Sequence, residues 1–142
     1  MPPPSNDPCL NLILLPKNFF VVQLQPDELL SQGILEAITH HTGRFFSITR
    51  TNDEISIVGE VWESPGMPEH FQSHSTWKCI KIAGPMEHNL TGIMASFTAP
   101  LKEAQVPVFA VSTWNTDYVL VPEDAVSKAV EELKKDGWMF EE

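Results

Sequence analysis

The chain has 142 residues, of which 42% are hydrophobic and 20% are charged, and its formal net charge at pH 7 is −10. Its length is sufficient for one domain or two very small ones, with a sizeable core. Because nucleic acids and anionic membranes are bound mainly through Lys and Arg, this acidic balance argues against both as partners.

The cysteines and the hydropathy of the sequence indicate the cellular compartment of the protein. Cys9 and Cys79 lie outside any CxxC motif, which favours free thiols in a reducing compartment over a disulfide framework. No stretch approaches the roughly 18 apolar residues that span a bilayer. Residues 1–9 are Pro-rich and lack the basic and apolar regions of a secretory signal, so we expect a flexible tail there and a cytosolic protein.

Four short runs of apolar and β-branched residues in the first half are typical of strands: LNLILL at 10–15, FFVVQL at 19–24, RFFSITR at 44–50 and EISIVGEVW at 54–62. Residues 26–42 predict a helix, because apolar residues recur there at helical spacing after Pro26 and before Gly43. The segment 63–76, with two prolines and a glycine, predicts a loop with one helical turn at most.

The second half repeats this kind of pattern. Strands are predicted over WKCIKIAG at 77–84, VPVFAVST at 106–113 and YVLV at 118–121. A helix is predicted after Asn89, a favourable N-cap, because an apolar stripe runs from Leu90 to Ala104. A last helix is predicted over 122–137, with a proline and acidic residues at its start and Gly137 at its end.

The two halves align with each other at a shift of 63 residues, without a gap. Phe46 falls on Phe109, and Asn52 falls on Asn115. The repeat indicates two copies of strand–helix–strand–strand, each followed by a helix or its remnant. With one further strand, each copy is the split βαβ, ferredoxin-like module.

The strands are unevenly divided between the two copies. Only GWMFEE follows the last helix of the second copy, whereas the first half has a surplus strand at 10–15. The simplest resolution is that residues 10–15 complete the sheet of the second unit. We therefore predict an α/β (α+β) fold of two ferredoxin-like βαββαβ units, at 10–76 and 77–142, with side-by-side antiparallel sheets and strand exchange between units.

Three stretches carry a family resemblance: FFSITRTNDEISIVG, WKCIKIAG and LTGIMASFTAPLKEAQVPVFAVSTWNTDYVLV. With them the chain resembles the small tandem ACT-domain proteins, which are related to the regulatory domain of aspartate kinase and to the cytosolic arginine sensor of animals. The resemblance covers nearly the whole chain. It implies ACT units that pair sheet to sheet and bind small ligands, usually amino acids, beside the loop before the first helix and the turn between strands two and three.

Two stretches of the second half form the candidate ligand site. In HNLTG (88–92), the free N–H groups of a helix start attract a carboxylate, and Gly92 lets a ligand approach the backbone. In STWNTD (112–117), Asp117 can hold an ammonium group. The candidate ligand-binding residues are Leu90, Thr91, Gly92, Ile93, Ser112, Thr113, Asn115, Thr116 and Asp117. The alternative is structural: a capped helix, an Asx-turn and a solvated hairpin.

Two departures from the family pattern bear on the ligand. The family usually has Asp at the position of Asn115, and Tyr or Phe at that of Trp114. Without that carboxylate a cationic ligand is less favoured, so we expect a neutral amino-acid side chain rather than a basic one. The corresponding first-half stretch, with Thr51, Asp53 and Glu54, is interpreted as structural.

No catalytic or metal site is predicted. His70 and His74 are four residues apart, but Pro65 and Pro68 oppose a long helix there, and no Cys or carboxylate lies at the spacing that would complete a ligand set. No GxSxG, Walker or GxGxxG motif occurs, and Cys79 is expected to be a buried, inert thiol. We therefore expect neither a cofactor nor a metal.

Three hypotheses of function follow: a non-catalytic amino-acid sensor of the tandem ACT type, an interaction module with a vestigial pocket and, with least support, an enzyme that recruited the fold. The second draws on VPVFAVST (106–113), which is apolar on both faces. As partners we expect a small-molecule ligand, a regulated enzyme, and a second copy of the chain in a homodimer that covers the open face of the sheet.

Overall fold

Residues 7–63, 66–86 and 92–141 are described in the computed structural model, and they form seven strands and four helices. The strands are β1 (Leu12–Leu14), β2 (Phe19–Leu24), β3 (Phe46–Arg50), β4 (Ile55–Glu60), β5 (Trp77–Ile82), β6 (Phe109–Ser112) and β7 (Asp117–Pro122). The helices are α1 (Gln32–Thr39), α2 (Glu69–Ser73), α3 (Ile93–Glu103) and α4 (Val126–Lys135). The chain divides into a central unit, Lys17–Trp77, and a terminal unit that joins the residues up to Pro16 to those from Lys78 onward.

The terminal unit has four strands in the order β1–β5–β7–β6. β1 is antiparallel to β5, and β6 is antiparallel to β7. Because side chains alternate along a strand, one face of the sheet packs against α3 and α4. The core of this unit includes Leu12, Ile80, Ile82, Phe97, Leu101, Val119, Val121, Ala129 and Leu133.

The strand from the start of the chain completes the terminal unit, as predicted. Leu12 lies opposite Ile82 in the β1–β5 pair, and its side chain is fully buried. On the other side of β1, the Leu12 N–H donates to the Met139 carbonyl at 2.7 Å, and the Leu12 carbonyl accepts from the Glu141 N–H at 2.8 Å. The residues after Gly137 therefore form a bridge beside β1 rather than a strand of their own.

The central unit contains β2, α1, β3, β4 and α2, with its strands in the order β3–β4–β2. β4 is antiparallel to both neighbours. Its core includes Phe20, Val22, Ile34, Ile55, Ile57 and Phe71. Each unit thus has the strand–helix–strand–strand–helix order expected of the ferredoxin-like module, and the predicted fold is confirmed.

The first helix is shorter than predicted. α1 begins at Gln32, where the Ser31 hydroxyl accepts a hydrogen bond from the Ile34 N–H at 3.3 Å, and it ends at Thr39. The predicted start at 26 was wrong because a side chain better suited to the N-cap lies five residues after Pro26. The predicted end at 42 was wrong because the backbone is already extended at His40. The Arg50 guanidinium instead donates to the Pro26 carbonyl at 2.8 Å.

The second long helix also begins later than its apolar stripe indicates. α3 starts at Ile93, and its N-cap is Gly92 in a left-handed conformation with φ of 75°. The predicted N-cap Asn89 and the first stripe residue, Leu90, lie outside the described residues. α4 begins at Val126, after a turn of 3-10 helix at Glu123–Ala125.

The internal repeat is present, but its register differs by one residue at the hairpins. In the central unit Arg50 lies opposite Ile55, and in the terminal unit Ser112 lies opposite Asp117. Arg50 and Ser112 differ by 62 positions, not 63. A shift of one residue would exchange the faces of a strand, so the shift of 62 is the one that keeps core positions aligned.

Candidate ligand-binding site

The STWNTD stretch forms the turn between β6 and β7. At its base the Ser112 hydroxyl donates to the Asp117 carboxylate. Further in, the Thr113 N–H donates to the Thr116 carbonyl at 2.9 Å, and the Thr116 N–H donates to the Thr113 hydroxyl at 3.4 Å. Trp114 is left at the tip of the turn, 80% exposed. The long polar run is explained in part by these hydrogen bonds within the turn.

Thr116 anchors the turn to the sheet. Its side chain is 3% exposed, and its hydroxyl donates to the Ile82 carbonyl at 2.7 Å. Ile82 is the last residue of β5, so this bond ties the β6–β7 turn to the end of a different strand. The Thr116 hydroxyl therefore positions the site and is not free to donate to a ligand.

The segment after β5 packs directly on the same turn. The Met86 N–H donates to the Asn115 carbonyl at 2.7 Å, and the Gly84 N–H donates to the Cys9 carbonyl at 2.8 Å. Gly84 has φ of 63°, and a Cβ there would lie 2.9 Å from the Thr116 Cβ. A glycine is required both for this conformation and for this close approach.

The start of α3 offers backbone donors. The N–H groups of its first turn have no partner within the helix, and the N-cap makes no side-chain hydrogen bond. Gly92 is exposed, and a Cβ there would meet no atom within 4 Å. Ile93 is 7% exposed and packs into the core. Leu90 and Thr91 lie outside the described residues.

Asp117 is the acidic group of the turn. It is half-buried, and one of its oxygens accepts from Ser112, which leaves acceptor capacity on the carboxylate. Beside it, burial raises the pKa of the Tyr118 phenol, with a smaller contribution from Cys79. In the described part of the chain, no group of three or more His, Cys, Asp or Glu is placed to hold a metal ion.

Two cavities lie away from the predicted residues. One, of about 520 Å³, lies in the central unit and is lined by charged and aromatic groups that include Glu36, Arg44, Trp62 and Glu63. The other, of about 530 Å³, lies between Leu14 of β1 and one side of α4. Sequence patterns gave no signal for the first cavity, because its residues come from three separate segments with no common spacing.

Residues 72–135 match the family model of the ACT domain. This segment includes β5, α3, β6, β7 and α4, and therefore the whole turn 112–117. The match covers 64 of the 142 residues and confirms the resemblance to ACT-domain proteins that the sequence predicts.

A curated relative is the cytosolic arginine sensor for mTORC1 subunit 1. The human protein is 30% identical over 96 residues, which is 64% of this chain and 29% of the sensor. The bovine protein matches equally well. The chain thus spans less than a third of the length of these relatives.

Two solved structures share the fold. A protein from Agobacterium tumefaciens is 29% identical with a TM-score of 0.74, over 92% of this chain and 91% of that one. The aspartate kinase of Clostridium acetobutylicum is 16% identical with a TM-score of 0.58, over 85% of this chain and 33% of the enzyme. No helix in the described segments is long and apolar enough to cross a membrane.

Proposed function

We propose that the chain is a non-catalytic regulatory protein that binds a neutral amino acid between the start of α3 and the turn 112–117. The observation that carries the proposal is the docking of the segment after β5 on that turn, through the Met86–Asn115 hydrogen bond. The proposal places the exposed start of α3, at Gly92, on one side of the ligand and the Asp117 carboxylate on the other.

The carboxylate of a zwitterion suits the start of α3, and its ammonium group suits Asp117. The N–H groups of Gly92 and Ile93 can hold a carboxylate, since a helix start carries partial positive charge. Asp117, already held by Ser112, can accept an ammonium group. Each such charge-assisted hydrogen bond contributes about 1.5–3 kcal/mol. Thr113 and Asn115 form the wall between them, and Thr116 supports it from below.

The turn favours a neutral ligand side chain. Asp117 is its single carboxylate, and position 115, two residues earlier, carries the neutral amide of Asn115. An arginine side chain would need a second carboxylate for its guanidinium in addition to the group that holds its ammonium. The name of the human relative describes an arginine sensor, but the shared region is 29% of that protein, so we do not transfer its ligand.

The wider role rests on the relatives. The matches to a sensor and to a regulatory domain family support action through association with a regulated enzyme, without catalysis by this chain. The name of the sensor also supports a cytosolic location. We propose a homodimer as the working form, built over the sheet face of the terminal unit that points away from α3 and α4.

Calorimetry tests the proposed site. The best ligand from a thermal-shift screen of the twenty amino acids is titrated into the wild type, Asp117→Ala and Gly92→Val. We expect both variants to weaken binding by about tenfold or more, because each loses one end of the zwitterion contact. Asp124→Ala, which removes an exposed carboxylate of the same unit, should leave binding unchanged. If both site variants bind as tightly as the wild type, the pocket is elsewhere.

A second candidate is an interaction module with a vestigial pocket. The observation in its favour is Trp114, which is 80% exposed at the tip of the turn, since exposed Trp residues are enriched at protein interfaces. A screen in which no amino acid raises the melting temperature would favour this reading over the first.

A further inference from the structure

The cavity in the central unit is lined by groups that the proposed function does not use. Its volume of about 520 Å³ lies within the range of small-ligand sites, roughly 300–1,000 Å³. It is an open cavity, lined by one side of α1, the residues just before β3 and the residues just after β4. The groups relevant to binding are Glu36, Ala37, Arg44, Trp62 and Glu63.

Arg44 is held in place by an aromatic ring and keeps its charge available. Its guanidinium carbon lies 5.3 Å from the centroid of the Trp62 ring, an attractive arrangement of a cation over an indole face. Trp62 is itself fixed, since its ring meets the edge of Phe20 at 6.0 Å and its backbone N–H contacts the Met67 sulfur at 3.4 Å. Within the described ranges Arg44 makes no ion pair.

Two carboxylates line the same cavity without reaching Arg44. Glu36 accepts a hydrogen bond from the Gln32 side chain at 3.4 Å, and neither Glu36 nor Glu63 forms an ion pair with a described residue. Both signs of charge therefore border one space, separated by more than the length of a direct ion pair. A simple anion would meet the two carboxylates and a simple cation would meet Arg44, whereas a zwitterion suits both.

The remaining wall combines the polar side chains of His40 and Thr42 with apolar groups, and the distance across part of it is fixed. Ala37 and the Trp62 ring offer the non-polar surface of the cavity. On one side α1 touches the opposite loop through its backbone, because a Cβ on Gly33 would lie 1.9 Å from the Gly66 carbonyl oxygen. This contact sets the separation of helix and loop there, so the cavity has a defined width.

We propose that this cavity is a second binding site, in a different unit from the turn 112–117, for a zwitterionic amino acid with an apolar side chain of moderate size. The Arg44 guanidinium takes the carboxylate, Glu36 and Glu63 take the ammonium group, and the side chain packs on Ala37 and Trp62. The site is independent of the proposed function, since it shares no residue with it.

Amide NMR titration of the full chain tests the proposal with three matched probes. L-leucine carries both charges, L-leucinamide carries only the ammonium, and 4-methylpentanoate carries only the carboxylate. We expect leucine to shift the amides of residues 33–44, 62, 63 and 66, and each single-charge probe to bind there about tenfold more weakly or worse. Failure of leucine to shift those amides, or equal binding of all three probes, overturns the proposal.

Two variants test which side chains hold the charged groups of leucine. Arg44→Ala and Glu63→Gln should each weaken leucine binding at the cavity by about tenfold. Lys17→Ala removes an exposed positive charge of the same unit outside the cavity. This control should change the affinity for leucine by less than twofold. The amide spectrum of each variant reports folding in the same experiment. Leucine binding that survives both cavity variants unchanged contradicts the assignment.

The location of the shifts separates this proposal from the proposed function. Shifts confined to residues 84–86, 92–93 and 112–117 would overturn the second site and leave the first intact. Shifts confined to residues 33–44, 62, 63 and 66 would support the second site and show that leucine is not the ligand of the first.

Discussion

Thr116 and Gly84 explain why a polar stretch lies between two hydrophobic strands. The Thr116 hydroxyl is buried on the Ile82 carbonyl, and Gly84 leaves room for the Thr116 side chain. Without that hydroxyl a buried carbonyl would lose a partner, which costs about 1–3 kcal/mol. Part of the STWNTD stretch is therefore structural, whereas Asp117 and the start of α3 keep capacity for a ligand.

Gly84→Ala should be markedly destabilising. The new Cβ would meet the Thr116 Cβ at 2.9 Å and the Asn115 carbonyl oxygen at 3.2 Å, in a residue whose φ is 63°. Gly43→Ala is the matched control, because Gly43 has φ of 79° but no atom within 4 Å of an added Cβ. Urea denaturation should show a loss for Gly84→Ala at least about 1 kcal/mol larger than for Gly43→Ala. Equal losses would mean that the protein relieves the contact between the new Cβ and Thr116 without a loss of stability.

Tyr118 should make stability fall at alkaline pH. Burial raises its pKa above the ordinary value of 10.0 in the folded protein. Near pH 10 and above, the unfolded chain therefore releases this proton more readily than the folded chain. The contribution of Tyr118 to the free energy of unfolding is full below pH 10 and is lost as the pH rises through the folded-state pKa. Tyr118→Phe should flatten the decline in unfolding free energy above pH 10, and an unchanged decline would contradict this assignment.

β1 is the element on which the terminal unit depends. Leu12 is fully buried between β5 and the residues after Gly137, whereas Leu14 of the same strand is 41% exposed. In chemical denaturation, Leu12→Ala should lower the free energy of unfolding by about 2–5 kcal/mol. Leu14→Ala should lower it by well under half of that amount. Similar losses at the two positions would argue against a core role for β1.

Strands and their hairpins were predictable because alternation and turn residues are local signals. The exchange of β1 followed from counting strands, since a ferredoxin-like unit without its last strand leaves an edge to be completed. The start of α1 was not predictable from apolar spacing alone, because the Ser31 cap competes with the earlier start at Pro26. The central cavity was missed because Arg44 and Trp62 meet only through tertiary structure.

At the scale of the whole molecule, we predict that two copies associate. The face of the terminal unit away from α3 and α4 carries Ile13, Val111 and Tyr118, all half-buried. Apolar sheet faces of this kind are commonly covered in a partner interface. Light scattering at micromolar concentrations should give the mass of a dimer, and Ile13→Lys should shift it toward the monomer. A monomer throughout that range would contradict the prediction.

The central claim is that an amino acid binds at the start of α3 and the turn 112–117. The most direct measurement is a crystal structure of the chain with the best ligand of the thermal-shift screen. The account predicts the ligand carboxylate on the N–H groups of Gly92 and Ile93, and the ammonium on Asp117. A structure in which the ligand is bound and neither contact is made would contradict it.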